Sequence, residues 1–124
     1  MQLQADKAKE MKMVSKGAEL RAQHADLDRL VVLCQSELSA VQVWLFGSRA
    51  RGDHHANSDF DILAILPDDA PDAAEDPITV FLLRRRSGLH ADLLVARLTD
   101  FEGARDTVNT ISFIVHREGV RLDV

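Results

Sequence analysis

One cysteine, Cys34, stands among 124 residues. That rules out an internal disulfide and any zinc site built mainly on thiolates. Cys34 falls in an apolar helical pattern and reads as a small core hydrophobe. Tyrosine is absent, so the chain cannot be modified on a tyrosine of its own; tryptophan occurs once and phenylalanine five times. Basic residues are outnumbered by acidic ones, 15 to 20, for a formal net charge of −5. Wrapping nucleic acid or coating an anionic membrane needs a basic face, so both roles are disfavoured. A small, locally basic pocket for one nucleotide is not. No run approaches the ~18 apolar residues of a membrane span, and the N-terminal stretch lacks the continuous apolar core of a secretory signal. The expected address is the cytoplasm.

What is present fits one globular domain: 46% hydrophobic and 28% charged residues over a length that supports one core and not two. An activity needing a large substrate-enclosing lobe would have to take it from another chain. Residues 1–24 are rich in helix formers, but their apolar positions (Leu3, Met11, Val14, Ala18) are sparse and Gly17 interrupts them. They are expected to form an N-terminal helical extension or arm, with the functional domain over 25–124. Leu27, Leu30, Val31, Cys34 and Leu38 trace one stripe of an amphipathic helix.

The period then changes. Val41–Phe46 and Asp59–Leu66 read as buried strands around a polar loop, 47–58. All three prolines lie in an acidic stretch, 67–77, expected as a solvated, solubilising loop. Residues 78–87 are read as a crossover helix and 89–96 as a third strand. Thr99 or Asp100 is expected to cap a last helix with a stripe of Phe101, Ala104, Val108, Ile111 and Val115, closed by Gly119. Residues 120–124 alternate like a short edge strand. The expected class is α/β (α+β), a short mixed sheet flanked by helices.

Chemistry concentrates between Gly47 and Asp61. A strand ending in Gly47-Ser48 before a turn or short helix exposes backbone N–H groups without internal partners; with the Ser hydroxyl they can cradle phosphate oxygens. Glycine allows a ligand close to the backbone, and Arg49 and Arg51 add positive charge. Asp59 and Asp61 are two residues apart on a strand, so their carboxylates share a face. Paired carboxylates opposite a phosphate cradle suit Mg²⁺, which takes oxygen ligands and bridges to substrate phosphates. Burying such aspartates among Phe60, Ile62, Leu63 and Ile65 without a cation would be costly.

The form Gly47-Ser-Arg-Ala-Arg-Gly52 followed by Ser58-Asp-Phe-Asp61 resembles the nucleotidyltransferase superfamily, with its polymerase-beta-like fold, and in size the minimal nucleotidyltransferases. The resemblance runs from about Leu27 to the C-terminus, including Arg117-Glu-Gly-Val-Arg-Leu122, and does not cover 1–24. It implies Mg²⁺-dependent transfer of a nucleoside monophosphate from a nucleoside triphosphate, with ATP the expected donor, to an acceptor hydroxyl. By this resemblance Asp59 and Asp61 hold one or two metal ions, Gly47 and Ser48 hold phosphates, and Ser58 belongs to the nucleotide-binding motif. A third carboxylate, Asp92, completes the metal site and orients or deprotonates the acceptor. One or other of Arg49 and Arg51 neutralises developing charge. Minimal members of this kind commonly occur beside a small helical HEPN-type protein, and some act as antitoxins that adenylylate a tyrosine of that toxin. Such a partner, or a homo-oligomer, is therefore expected. The alternatives are transfer to a small hydroxyl compound, as in aminoglycoside-modifying relatives that carry an extra helical domain, and a module that neutralises a toxin by contact alone. His54 and His55, in the loop between the motif halves, and His90 read as surface residues, and Arg84-Arg85-Arg86 as a helix end complementing the dipole.

Overall fold

The structure, a computed structural model, describes residues 14–124; Leu3 and Met11 of the expected extension lie outside the described residues. Helices α1 (Lys16–Gln23) and α2 (Ala25–Glu37) lead into β1 (Gln42–Phe46), a single helical turn α3 (Ser48–Arg51) and β2 (Phe60–Leu66). A 3₁₀ turn (Asp72–Glu75), α4 (Pro77–Ser87), β3 (Ala91–Arg97), α5 (Leu98–Gly103), α6 (Ile111–Glu118) and β4 (Val120–Arg121) follow. The sheet order is β3-β2-β1-β4. β1 runs antiparallel to both β2 and β4, and β3 runs parallel to β2. The expected mixed sheet, crossover helix and C-terminal edge strand are all present.

Seven residues of β2 explain the layering. Phe60-Asp-Ile-Leu-Ala-Ile-Leu66 is buried almost throughout, as a strand covered on both faces must be. Ile62, Ala64 and Leu66 pack with the α2 stripe, which is 0–3% exposed, and with Leu83 of α4. Leu63 and Ile65, on the other face, meet Phe101 of α5 and Val115 of α6. That second face is thinner. At the start of β2 and β3 it carries Asp61, Asp92 and the half-exposed Leu94 in place of further apolar cover.

Gly17 does not interrupt a helix; it lies buried inside α1. A Cβ there would stand 1.9 Å from the Arg121 carbonyl oxygen, so glycine lets α1 rest on the backbone beside β4. Arg21 Nη1 donates to the Leu122 carbonyl at 3.0 Å, and Ser15 Oγ to that of Val124 at 2.6 Å. Gly17→Ala is expected to destabilise the protein by about 1–3 kcal/mol, the range of core overpacking, because the clash is with backbone; urea unfolding measures it. A control at exposed Ala18 (Ala18→Ser) shifts the midpoint far less.

Three further expectations are corrected. The last helix is two helices, because Asn109 adopts a left-handed conformation (φ 71°) and Thr110 Oγ1 accepts from the Phe113 amide at 3.1 Å, starting a new helix. Phe101 and Val115 are buried, but Val108 and Ile111 are exposed, so the stripe was accidental in its middle. Neither Thr99 nor Asp100 caps α5; the residue before it is Arg97, and Thr99 donates from N and Oγ1 to Asp68. The acidic stretch is likewise held rather than merely solvated. Arg97 Nη1 donates to the carbonyls of Asp68 (2.9 Å) and Ala70 (2.7 Å), and its Nε lies 2.5 Å from Glu75. Asp76 caps α4 through the Ile78 amide, with Pro77 at the first helical position, where a missing N–H costs nothing.

Candidate active site

β1 ends where the backbone turns. Gly47 has φ 73° and ψ −157°, a region almost confined to glycine, and a Cβ there would fall 2.1 Å from Asp61 Oδ2. The Asp61 carboxylate therefore lies against the Gly47 backbone. Register explains the approach: Phe46 pairs with Asp61 across β1–β2, and Asp61 with Asp92 across β2–β3. Asp61 and Asp92 are thus side-by-side neighbours on one face, and Asp59 stands exposed at the mouth of β2. Burial, then the carboxylates of Asp92 and Asp59, push the Asp61 carboxyl above its ordinary pKa; Arg51 pulls the other way without offsetting them. Among the described residues no three His, Cys, Asp or Glu side chains converge tightly enough to hold a metal ion on their own.

The turn after Gly47 closes through Ala50 and Arg51 amides on the Gly47 carbonyl, at 3.1 and 3.0 Å. The amides of Ser48 and Arg49, at its start, have no acceptor within it. Arg51 pairs with Asp53 and Glu118, both at 3.1 Å, and faces a cavity of about 400 Å³ formed with Phe46, Gly47, Phe113, Ile114 and Arg117. Arg49 goes elsewhere. Its Nε donates to the Ser58 carbonyl at 2.8 Å, Nη2 to that of Ala56 at 3.2 Å, and its guanidinium lies 4.1 Å over the Phe60 ring. Ser58 Oγ accepts from the His55 amide at 3.0 Å. Arg49 and Ser58 thus brace the loop before β2, beside a separate cavity of about 360 Å³ that also includes Asp59 and His90.

Gly47, Ser48, Arg51, Asp61 and Asp92 are therefore brought to one end of the sheet, with Asp59 at its rim, while Arg49 and Ser58 are committed to the loop. The wall supplied by Phe113, Ile114 and Arg117 was not foreseen from the sequence; the one available signal was Arg117-Glu118 immediately before Gly119. His54 and His55 are exposed. In the basic cluster, Arg86 grips Glu37 at 2.7 and 2.8 Å, as a helix end would. Cys34 is fully buried, and burial pushes its thiol up to about 12, consistent with an inert core residue.

Residues 24–124 match the model of the nucleotidyltransferase domain family, and the chain belongs to that family. Three solved structures share the fold. One is a toxin–antitoxin with AMP-PNP, 22% identical, TM-score 0.53, covering 77% of this chain and 70% of the other. A Sulfolobus solfataricus protein described as a nucleotidyltransferase is 23% identical, TM-score 0.51, covering 90% and 89%. The third is an Asp-to-Glu double mutant of the toxin–antitoxin MntA–HpeT, 22% identical, TM-score 0.52, covering 77% and 70%. Curated protein sequences yield no match. No helix among the described residues is long and apolar enough to cross a membrane.

Proposed function

We propose that the chain transfers a nucleoside monophosphate, AMP from ATP, to an acceptor hydroxyl in a Mg²⁺-dependent reaction in the cytoplasm. The observation that carries this reading is the contact of the Asp61 carboxylate with the Gly47 backbone, with Asp92 beside it. A phosphate seated on the Gly47-Ser48 turn would lie next to two carboxylates. The donor set fits Mg²⁺: the ion commonly takes one or two carboxylates and completes its shell with water and substrate phosphates, so a cage of three side chains is not required. When bound, it would neutralise charge on the phosphates and on Asp61.

In this reading Asp59 and Asp61 hold the metal, and Asp92 joins them on the acceptor side. Gly47 and Ser48 hold the β- and γ-phosphates. Arg51 supplies the positive charge, while Arg49 and Ser58 set the position of Asp59 by fixing the loop. The acceptor oxygen attacks the α-phosphorus, the bond from that phosphorus to the bridging oxygen of the β-phosphate breaks, and pyrophosphate leaves. Asp92 orients the hydroxyl and receives its proton. Little covalent help is needed, because positioning and charge stabilisation dominate phosphoryl-type transfer.

For the acceptor we propose a tyrosine of a helical HEPN-type toxin, giving the chain an antitoxin role. This reading is supported by the toxin–antitoxin structures that share its fold and by the exposed Asp92 end of the sheet, which leaves room for a side chain from another protein. The test is incubation with α-phosphate-labelled ATP, Mg²⁺ and such a partner. The expected result is label on the partner, lost when its acceptor tyrosine becomes phenylalanine. Label on a diffusible compound without any protein partner would overturn the acceptor in favour of a small molecule. Protection by contact without transfer would overturn catalysis itself.

A further inference from the structure

β3 closes one side of the sheet and has no strand on its outer edge among the described residues. Such edges are normally blunted by proline, lysine, bulges or cover. This one is seven residues, Ala-Asp-Leu-Leu-Val-Ala-Arg, with neither proline nor lysine. Leu94 is 39% exposed, and along the neighbouring helix α4 Ile78, Phe81 and Leu82 are 69%, 50% and 49% exposed. Between helix and strand lies a groove of about 460 Å³, with Val80, Phe81, Arg84, Asp92 and Leu94 in its walls. Charge is segregated along it. Asp72, Glu75 and Asp76 gather at the N-terminal end of α4, where Arg97 pairs with the first two and Asp76 caps the helix, and Arg84, Arg85 and Arg86 at its C-terminal end, where Arg86 also holds Glu37.

We propose that this face is a twofold interface between two copies of the chain, in which β3 pairs antiparallel with β3 of the other copy and α4 packs antiparallel on its counterpart. The segregated charge selects this occupant. Under a twofold axis the acidic end of one α4 meets the basic end of the other, at both ends at once, while Ile78, Phe81 and Leu82 fill the middle. An isologous interface requires such self-complementarity. The strand register agrees. Pairing centred on Leu94 sets Leu94 against itself, Asp92 against Ala96 and Arg97 against Ala91, so no like charges stand opposite. Two four-stranded sheets become one continuous sheet. Because Asp92 lies on the same strand and face as Leu94, the second copy stands beside the candidate site. The interface stands independently of the reaction proposed above.

The test is the solution mass of the purified full chain at micromolar concentration, by light scattering or sedimentation. The wild type is expected at twice the chain mass, and Phe81→Glu at the chain mass with an unchanged far-UV spectrum. Leu94→Cys, facing its own copy across an antiparallel pair, is expected to cross-link on oxidation, since cross-strand spacing suits a disulfide; Cys34 is buried and does not compete. Val32→Cys, more exposed than Leu94 and on α2, stays uncross-linked. A monomeric wild type, or Val32→Cys cross-linking as readily as Leu94→Cys, would overturn the proposal. So would a monomer whose Phe81→Glu variant loses only the binding of a helical partner protein.

Discussion

Asp61→Asn lowers nucleotidyl transfer, by ~10²–10³-fold, while raising the thermal midpoint of the protein. In the proposed reaction the first effect follows from taking away the carboxylate that lies between the Gly47 turn and Asp92, where the charge of the phosphates would be balanced; single electrostatic groups of this kind are worth ~10²–10³ in rate. The second follows from linkage. Asp61 has a folded-state pKa above its ordinary value of 3.8, through burial and the carboxylates of Asp92 and Asp59. The fold therefore binds this proton better than the unfolded chain does. The resulting stabilisation is complete below the unfolded pKa and is lost as pH rises through the folded one, so at neutral pH ionised Asp61 costs stability. Asparagine keeps the shape without the charge. Because the carboxyl is only part-buried and solvent still screens it, the gain is small, a few degrees at most on an order-of-magnitude reading. Added Mg²⁺ raises the midpoint of the wild type and has less effect on the variant. Differential scanning calorimetry with and without Mg²⁺ checks this without any acceptor.

Gly47→Ala loses activity for the opposite reason and with the opposite effect on stability. The new methyl would lie 2.1 Å from Asp61 Oδ2, and the backbone at φ 73°, ψ −157° is one that L-residues adopt only at a cost of ~1–3 kcal/mol. Either Asp61 rotates away or the end of β1 shifts; both separate the Gly47-Ser48 turn, the proposed phosphate cradle, from the carboxylate. Transfer is expected to fall by about two orders of magnitude, the scale of a displacement of roughly 1 Å at a reacting centre, and the urea midpoint falls with it. A double-mutant cycle separates the two causes. In an Asp61→Ala background the steric part of the cost disappears and the conformational part remains, so the substitutions couple by ~0.5 kcal/mol or more. Strict additivity would mean that the methyl never meets Asp61.

The parts of this molecule legible in the sequence are those in which one local signal acts alone. The α2 stripe, the apolar run of β2 and the Gly47-Ser48 turn each follow from periodicity or from glycine chemistry, and the fold that the motif's family resemblance implies is the one found. The break at Asn109 was hidden because Phe101, Ala104, Val108, Ile111 and Val115 keep helical spacing through it, while Thr110 supplies a competing cap. Arg97 was silent because its partners at Asp68, Ala70 and Glu75 lie far away in sequence. The same holds for Gly17, whose need for glycine comes from the backbone of Arg121 at the other end of the chain. Among the expected site residues, Arg49 and Arg51 are indistinguishable by spacing. Only the fold turns the first onto Phe60 and Ser58 and the second toward the Gly47 cavity.

In the proposed reaction the bond broken lies between the α- and β-phosphates. The measurement that tests it most directly compares ATP labelled at the α-phosphate with ATP labelled at the γ-phosphate, in the presence of Mg²⁺ and a hydroxyl-bearing protein partner. The expected result is α-label on the acceptor, γ-label only in released pyrophosphate, and neither with Asp61→Asn. Transfer of γ-label to the acceptor, or α-label transfer undiminished in Asp61→Asn, would contradict it.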